Sequence, residues 1–195
     1  MKGKLIVFYG INNLGKSTQA ELLVEKLKKE GLKAEYLKYP IYTLKPSGPI
    51  LNNYLREGNK HNLSAREAQF IYCLNRSQYQ EELKKKLNEG INIIAEDYKG
   101  TGIAWGVGAG VKQELLEDIN SHLIEEDMAI LFDGERFKEA VEKNHKHEKD
   151  DSFSNKVRQI HLDLAKKYNW NIINANLSIE EIAKTIFEKV IKNLK

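Results

Sequence analysis

Gly10-Ile11-Asn12-Asn13-Leu14-Gly15-Lys16-Ser17 lies between an apolar run, Lys4–Tyr9, and an amphipathic segment that opens at Lys16. The spacing is G-x-x-x-x-G-K-[ST], in the strand-then-helix setting that gives this pattern its meaning. Such a loop must turn its backbone N–H groups inward around a β-phosphate at the positive end of a helix, so bulky side chains are excluded at Gly10 and Gly15. Lys16 is then expected to bridge β- and γ-phosphates and Ser17 to offer its hydroxyl to Mg²⁺. Asn12, Asn13 and Thr18 complete the expected phosphate-binding set. The expected cofactors are ATP and Mg²⁺.

Outward from this loop, apolar runs suited to buried strands alternate with amphipathic segments of helical length, the pattern of a parallel sheet covered on both faces. Strands are predicted at Lys4–Tyr9, Ala34–Tyr39, Ile91–Glu96, Met128–Asp133 and Trp170–Ala175, and helices near 16–29, 65–89, 112–123, 153–168 and 178–193. Ser64 to Glu67 and Ser178 to Glu181 read as capping boxes, and Gly31 and Gly90 stand where helices should stop. The expected architecture is a three-layer α/β fold of the P-loop kinase kind, with a five-stranded parallel sheet in one domain over 1–195. Two segments break the alternation and are expected as functional loops: the glycine-rich stretch 99–111, and a polar lid at 143–152.

Composition narrows the function classes. Of 195 residues, 41% are hydrophobic and 30% charged, and 31 Lys+Arg against 28 Asp+Glu leave +3. An excess that small, with the signs intermixed, argues against nucleic acid or a membrane surface as partner. No apolar run approaches the roughly 18 residues of a membrane span, and Leu5–Phe8 is too short for a signal peptide. The single cysteine, Cys73, excludes an internal disulfide framework and fits the cytoplasm; it is expected to be a small buried residue.

The metal needs a carboxylate at a neighbouring strand end. Glu96 and Asp97 supply two in succession, and Asp133 is a more distant candidate. A guanine-reading Asn-Lys-x-Asp is missing: Asn155-Lys156-Val157-Arg158 ends in a cation inside a helical pattern, which argues against a GTPase.

With these residues in hand, the sequence resembles the thymidylate kinase family. Phe8-Tyr9-Gly10 to Gly15-Lys16-Ser17-Thr18-Gln19 resembles its opening motif, and Lys38-Tyr39-Pro40 its Arg-x-Pro. Asn75-Arg76, with Tyr72 four residues before the arginine, resembles its third-helix pair. Glu96-Asp97-Tyr98 and Ala104-Trp105 resemble its Asp-Arg-Tyr and Ala-aromatic segment. The resemblance implies phosphoryl transfer from ATP to a pyrimidine deoxynucleoside monophosphate, by a homodimer. It implies acceptor contacts from Lys38, Tyr72, Asn75, Arg76, Tyr98 and Trp105, with Lys16, Glu96 and Asp97 as catalytic residues. On a helix Tyr72 and Arg76 share a face, where a ring can stack on a base and a guanidinium can bond its edge.

Three departures from the family pattern bear on mechanism. Tyr9 and Asn12 replace acidic residues, and Asp97 stands where the family has the arginine that clamps the acceptor phosphate. At about 5 Å and an effective dielectric near 20, one charge pair amounts to roughly 3 kcal/mol, so reversing the sign is a substantial penalty unless Lys38, Lys99 or Arg76 compensates. Asp97 could instead face the metal. No arginine lies between Arg136 and Arg158, which leaves Lys143 and Lys146 as the lid cations for the transferring phosphoryl group. A deoxynucleoside kinase, with Glu96 as base toward a 5′-hydroxyl, and a nucleotide-binding regulatory protein without transfer activity are the alternatives.

Overall fold

The computed structural model describes residues 2–137 and 151–194. Five strands, β1 (Leu5–Tyr9), β2 (Ala34–Lys38), β3 (Asn92–Glu96), β4 (Met128–Asp133) and β5 (Asn171–Asn174), form one sheet in the order β2-β3-β1-β4-β5. Every pairing is parallel, with Phe8 opposite Glu96 and Ile130 across β1's two neighbours. β1 and β3 are buried at every position, which explains their unbroken apolar character: a parallel strand covered on both faces has no wet side to alternate with.

The helices are α1 (Lys16–Lys29), α2 (Ser47–Arg56), α3 (Ala65–Asn88), α4 (Lys99–Gly108), α5 (Gln113–Asn120), α6 (Asp151–Lys167) and α7 (Ile179–Leu194). α1 packs on β1, β2, β3 and α7, whereas α3 and α6 pack on β3 and β4 and hold α4 and α5 among them. Both capping boxes form: Ser64 Oγ accepts from Glu67 N and Glu67 returns the bond, and Ser178 and Glu181 do the same at α7. Gly31 and Gly90 take the left-handed conformation at φ 79°, ending α1 and α3 where expected.

Two expectations require correction. Residues 99–111 are not a glycine-rich loop: Lys99–Gly108 is helix α4. Its glycines are contact surfaces, since a Cβ would come within 2.6 Å of Trp170 at Gly100, 2.6 Å of Leu116 at Gly106 and 2.7 Å of Val157 at Gly108. Each glycine costs a helix about 1 kcal/mol of propensity, and close burial against three neighbours outweighs it. The second is α2, which the periodicity did not reveal. It follows two cis peptides, Tyr39–Pro40 and Lys45–Pro46, and carries Pro49 in its first turn, where no helical donor is lost.

The lid expected at 143–152, with Lys143 and Lys146, lies outside the described residues except for Asp151 and Ser152, which begin α6.

Candidate active site

The loop between β1 and α1 sits at the carboxyl end of the central strand, where chain connections diverge to the two sides of the sheet and open a crevice. Its shape depends on two residues. Gly10 has φ 134°, and a Cβ there would lie 2.6 Å from the Phe132 carbonyl oxygen; Gly15 has φ 76° at the N-cap of α1. Lys16 is buried, its ammonium donating to the carbonyls of Gly10 (3.0 Å) and Ile11 (2.8 Å), so it spans the loop it would serve. A cleft of about 670 Å³ runs from this loop past the ends of β2 and β3 to α3.

In the middle of the cleft, groups from α1 and β2 converge on Glu96 at the end of β3. Ser17 Oγ donates to Glu96 Oε2 at 2.6 Å, the Tyr36 hydroxyl donates to the same oxygen, and Lys38 Nζ lies 3.0 Å from Oε1 and 3.3 Å from Ser17 Oγ. Burial works to raise the Glu96 pKa, yet Lys16, Lys38 and these hydroxyls together hold it below the ordinary value. Burial likewise opposes the charge on Lys38, and the adjacent Glu96 and Asp97 more than offset it, so its pKa is raised.

Asp97 is shaped differently. Its φ is 60°, a conformation that Asp tolerates better than most residues. Thr101 Oγ1 donates to its carboxylate at 2.9 Å, and Lys16 Nζ is 3.9 Å away. Burial, with the neighbouring Glu96 charge, raises its pKa despite Lys16.

Farther along, α3 presents Tyr72 and Arg76 to the cleft from one face. Arg76 is 4% exposed; its guanidinium donates to Asn120 Oδ1 at 3.0 Å, and Nε has no partner. Burial lowers its pKa, partly offset by Cys73 and the tyrosines around it. Gly102 makes room for it, because a Cβ there would lie 2.5 Å from its Nη2. Trp105 lines the same wall and packs on Phe153.

Several expected residues are placed elsewhere. Asn75 borders the cleft but is fully buried. It holds the Ile41 backbone at both N–H (2.8 Å) and carbonyl (3.0 Å) and donates to Ser47 Oγ at 2.8 Å, so both of its amide protons are spent on shaping the 39–47 segment. Tyr98 is 1% exposed, donates to the Ile124 carbonyl and packs on Tyr39 behind the wall. Lys99, considered as a compensating cation, is tied to Glu125 and Glu126 away from the cleft. Asp133 is held bidentate by Arg158 at 2.6 and 3.1 Å, which removes it as a metal candidate. Tyr9 turns from the loop to stack on Trp170 with ring centroids 4.3 Å apart, its hydroxyl donating to Glu126. Cys73 is buried as expected, its thiol donating to the Ile119 carbonyl.

Other lining residues escaped sequence reasoning. Phe137, Leu177 and Ile179 are apolar, well exposed, and border the loop end of the cleft. Arg56, at the end of α2, lines the opposite end with its guanidinium 4.7 Å above the Tyr42 ring. Gln69 also lines the cleft. Position gives a signal only for 175–179, which follow β5 at the strands' carboxyl ends.

Among the described residues no three His, Cys, Asp or Glu side chains cluster as a metal site. Magnesium keeps most of its shell as water and phosphate and needs one or two hard oxygens from protein. The Ser17 hydroxyl and the Glu96 carboxylate are such a pair.

A phosphate cradle and a strand-end carboxylate facing it, in one cleft that continues to α3, define a P-loop nucleotide kinase. The sequence model of the family described as thymidylate kinase matches residues 8–186. Thymidylate kinases of Dictyostelium discoideum (29% identical, covering 95% of this chain and 83% of that protein) and Danio rerio (28%, 95% and 88%) are similar along their length. A solved structure of thymidylate kinase from Candida albicans superposes with a TM-score of 0.83 at 24% identity, over 100% of this chain and 94% of that one, which shows the shared fold. The chain belongs to the thymidylate kinase family.

Proposed function

We propose that the protein transfers the γ-phosphoryl group of ATP to the 5′-phosphate of dTMP. The observation that carries this reading is the single cleft joining the Gly10–Ser17 cradle to the Tyr72–Arg76 face of α3, with Glu96 between them. The amides of residues 12–18 and the Lys16 ammonium bind the donor phosphates, while Phe137, Leu177 and Ile179 carry the donor base. Magnesium would sit at Ser17 and Glu96, where it supplies charge neutralisation for the transferring group. Tyr72 and Trp105 flank the acceptor base and Arg76 bonds its edge. Positioning and electrostatics supply the rate, with no covalent intermediate on the protein. The acceptor phosphate falls to Lys38, beside Asp97, and to Arg56 farther along the cleft, and Lys143 and Lys146 act from the lid. The chain works as one domain in the cytoplasm, and Phe70 and Leu74, exposed one turn apart on α3, support a homodimer through that face.

The test is ADP release with ATP and Mg²⁺ against a panel of nucleosides and monophosphates. Turnover of dTMP well above thymidine is expected. Turnover of thymidine alone would make the protein a nucleoside kinase, and tight ATP binding without any acceptor would remove the transfer activity altogether.

A further inference from the structure

Lys38 and Arg56, the two cations given to the acceptor phosphate, come from the end of β2 and the end of α2, and the segment joining those elements sets one side chain against both. That side chain is Tyr42, which lines the cleft. Burial raises the pKa of its hydroxyl, Arg56 and Lys38 lower it and Asp97 raises it, so the phenol stands in the field of all three charges. Its backbone is fixed from two sides. Asn75 holds Ile41 at N–H and carbonyl, and a Cβ at Gly48 would come 2.3 Å from the Tyr42 carbonyl oxygen. The ring is held as well, packed on the cluster of Tyr54, Leu55 and Ala68. Arg56 lies over this ring, its guanidinium carbon 4.7 Å from the centre. As the last residue of α2, Arg56 has no following helical turn to confine its long side chain. A guanidinium lying on an aromatic face gives up that freedom before a ligand arrives, and can still turn an N–H edge to an anion.

We propose that Tyr42 is a positioning residue for the acceptor phosphate: its ring holds the Arg56 guanidinium where, with Lys38, it takes the anion and offsets the negative charge of Asp97. Tyr42 touches no reacting atom. The ring face is what orients Arg56, so phenylalanine serves in its place and an aliphatic side chain of similar bulk does not. Because the two residues act as one unit, removing the ring forfeits most of what removing the guanidinium forfeits. This inference rests on the acceptor carrying a phosphate, as in the proposed function, but does not need phosphoryl transfer to occur.

The experiment is calorimetric binding of dTMP and thymidine, without ATP, to the full chain as wild type, Tyr42→Phe, Tyr42→Leu, Arg56→Gln and the Tyr42→Leu, Arg56→Gln double variant. Thermal unfolding of each ligand-free protein accompanies it, and Tyr42→Met replaces the leucine variant should that one not fold. Tyr42→Leu is expected to weaken dTMP about tenfold and thymidine less than about twofold, whereas Tyr42→Phe stays within about threefold of wild type for both. The double variant should lose about tenfold, as Arg56→Gln does alone, where independent residues would lose about a hundredfold. Equal losses of dTMP and thymidine in Tyr42→Leu, a phenylalanine variant as weak as the leucine one, or losses that multiply in the double variant each overturn the proposal. Those outcomes leave the phosphate reading standing, provided that wild type binds dTMP well above thymidine. A wild type that binds the two alike removes both readings. The expected pattern upholds the inference even where dTMP is bound and not phosphorylated.

Discussion

His161 offers a measurable consequence of how α6 closes behind the nucleotide loop. The residue is 1% exposed; Nδ1–H donates to the Val157 carbonyl at 3.1 Å, and Nε2 is enclosed without a partner. Burial, then the Lys16 charge, depresses its pKa to about 3. The unfolded chain returns it to about 6.5. For a base depressed in the folded state the unfolded chain binds the extra proton, so the stabilisation is complete above pH 6.5 and is lost as pH falls through 6.5 toward 3. At pH 5 the gap from 6.5 is 1.5 units, about 2 kcal/mol at roughly 1.4 kcal/mol per unit, and this figure holds for any folded pKa below about 4. Leucine is of similar bulk, is a good helix former and does not titrate. Urea unfolding of wild type and His161→Leu at pH 7.5 and pH 5 isolates the residue, because every other titrating group is common to both proteins. The stability difference between them should move by about 2 kcal/mol in favour of the variant on going to pH 5. A difference that stays constant within about 0.5 kcal/mol would refute the assignment of a neutral, sealed imidazole.

The cleft yields four more expectations. Glu96→Gln keeps the shape of the hub but removes its charge, so kcat should fall at least about a hundredfold while ATP-analogue binding without Mg²⁺, followed by fluorescence titration, changes little. Asp97→Asn retains the left-handed backbone and the Thr101 bond but removes a negative charge from the cleft, and KM for dTMP should drop several-fold with thymidine affinity unmoved. Gly102→Ala places a methyl carbon where Arg76 Nη2 lies, and initial-rate kinetics should show KM for dTMP raised about tenfold or more with KM for ATP unaltered. Arg56→Gln should weaken dTMP about tenfold and thymidine not at all in equilibrium binding; equal losses for the two would mean that Arg56 only packs on Tyr42.

The inner strands β1, β3 and β4 could be read in the sequence because parallel strands buried on both faces leave apolar runs that no surface element imitates, and the loop at Gly10 because its glycines answer a steric demand at fixed spacing. Helix α4 could not, since four glycines in ten residues look like a loop until Arg76, Leu116, Val157 and Trp170 are placed against them. Asn75 and Tyr98 have the residue types of ligand contacts, but side-chain direction, set by the 39–47 segment and by α5's following turn, turns one into a brace and the other into core. Gln69 and Arg56 were invisible for the opposite reason. A polar residue on an amphipathic helix reads as solvated surface, and only the fold reveals that the surface in question is the inside of a cleft.

The carboxylate of Glu96 has more claimants than oxygens. Ser17 belongs to the donor half, Tyr36 and Lys38 to the edge nearest the acceptor, and they meet on one side chain. A cation that takes the Glu96 oxygen shared by Ser17 and Tyr36 must displace a hydroxyl donor and weaken the hold of Glu96 on Lys38, whose ammonium then turns to Asp97 and to an anion in the acceptor half. Occupancy at one end of the crevice therefore alters affinity at the other without any movement of the backbone, and the two nucleotides should bind with positive synergy.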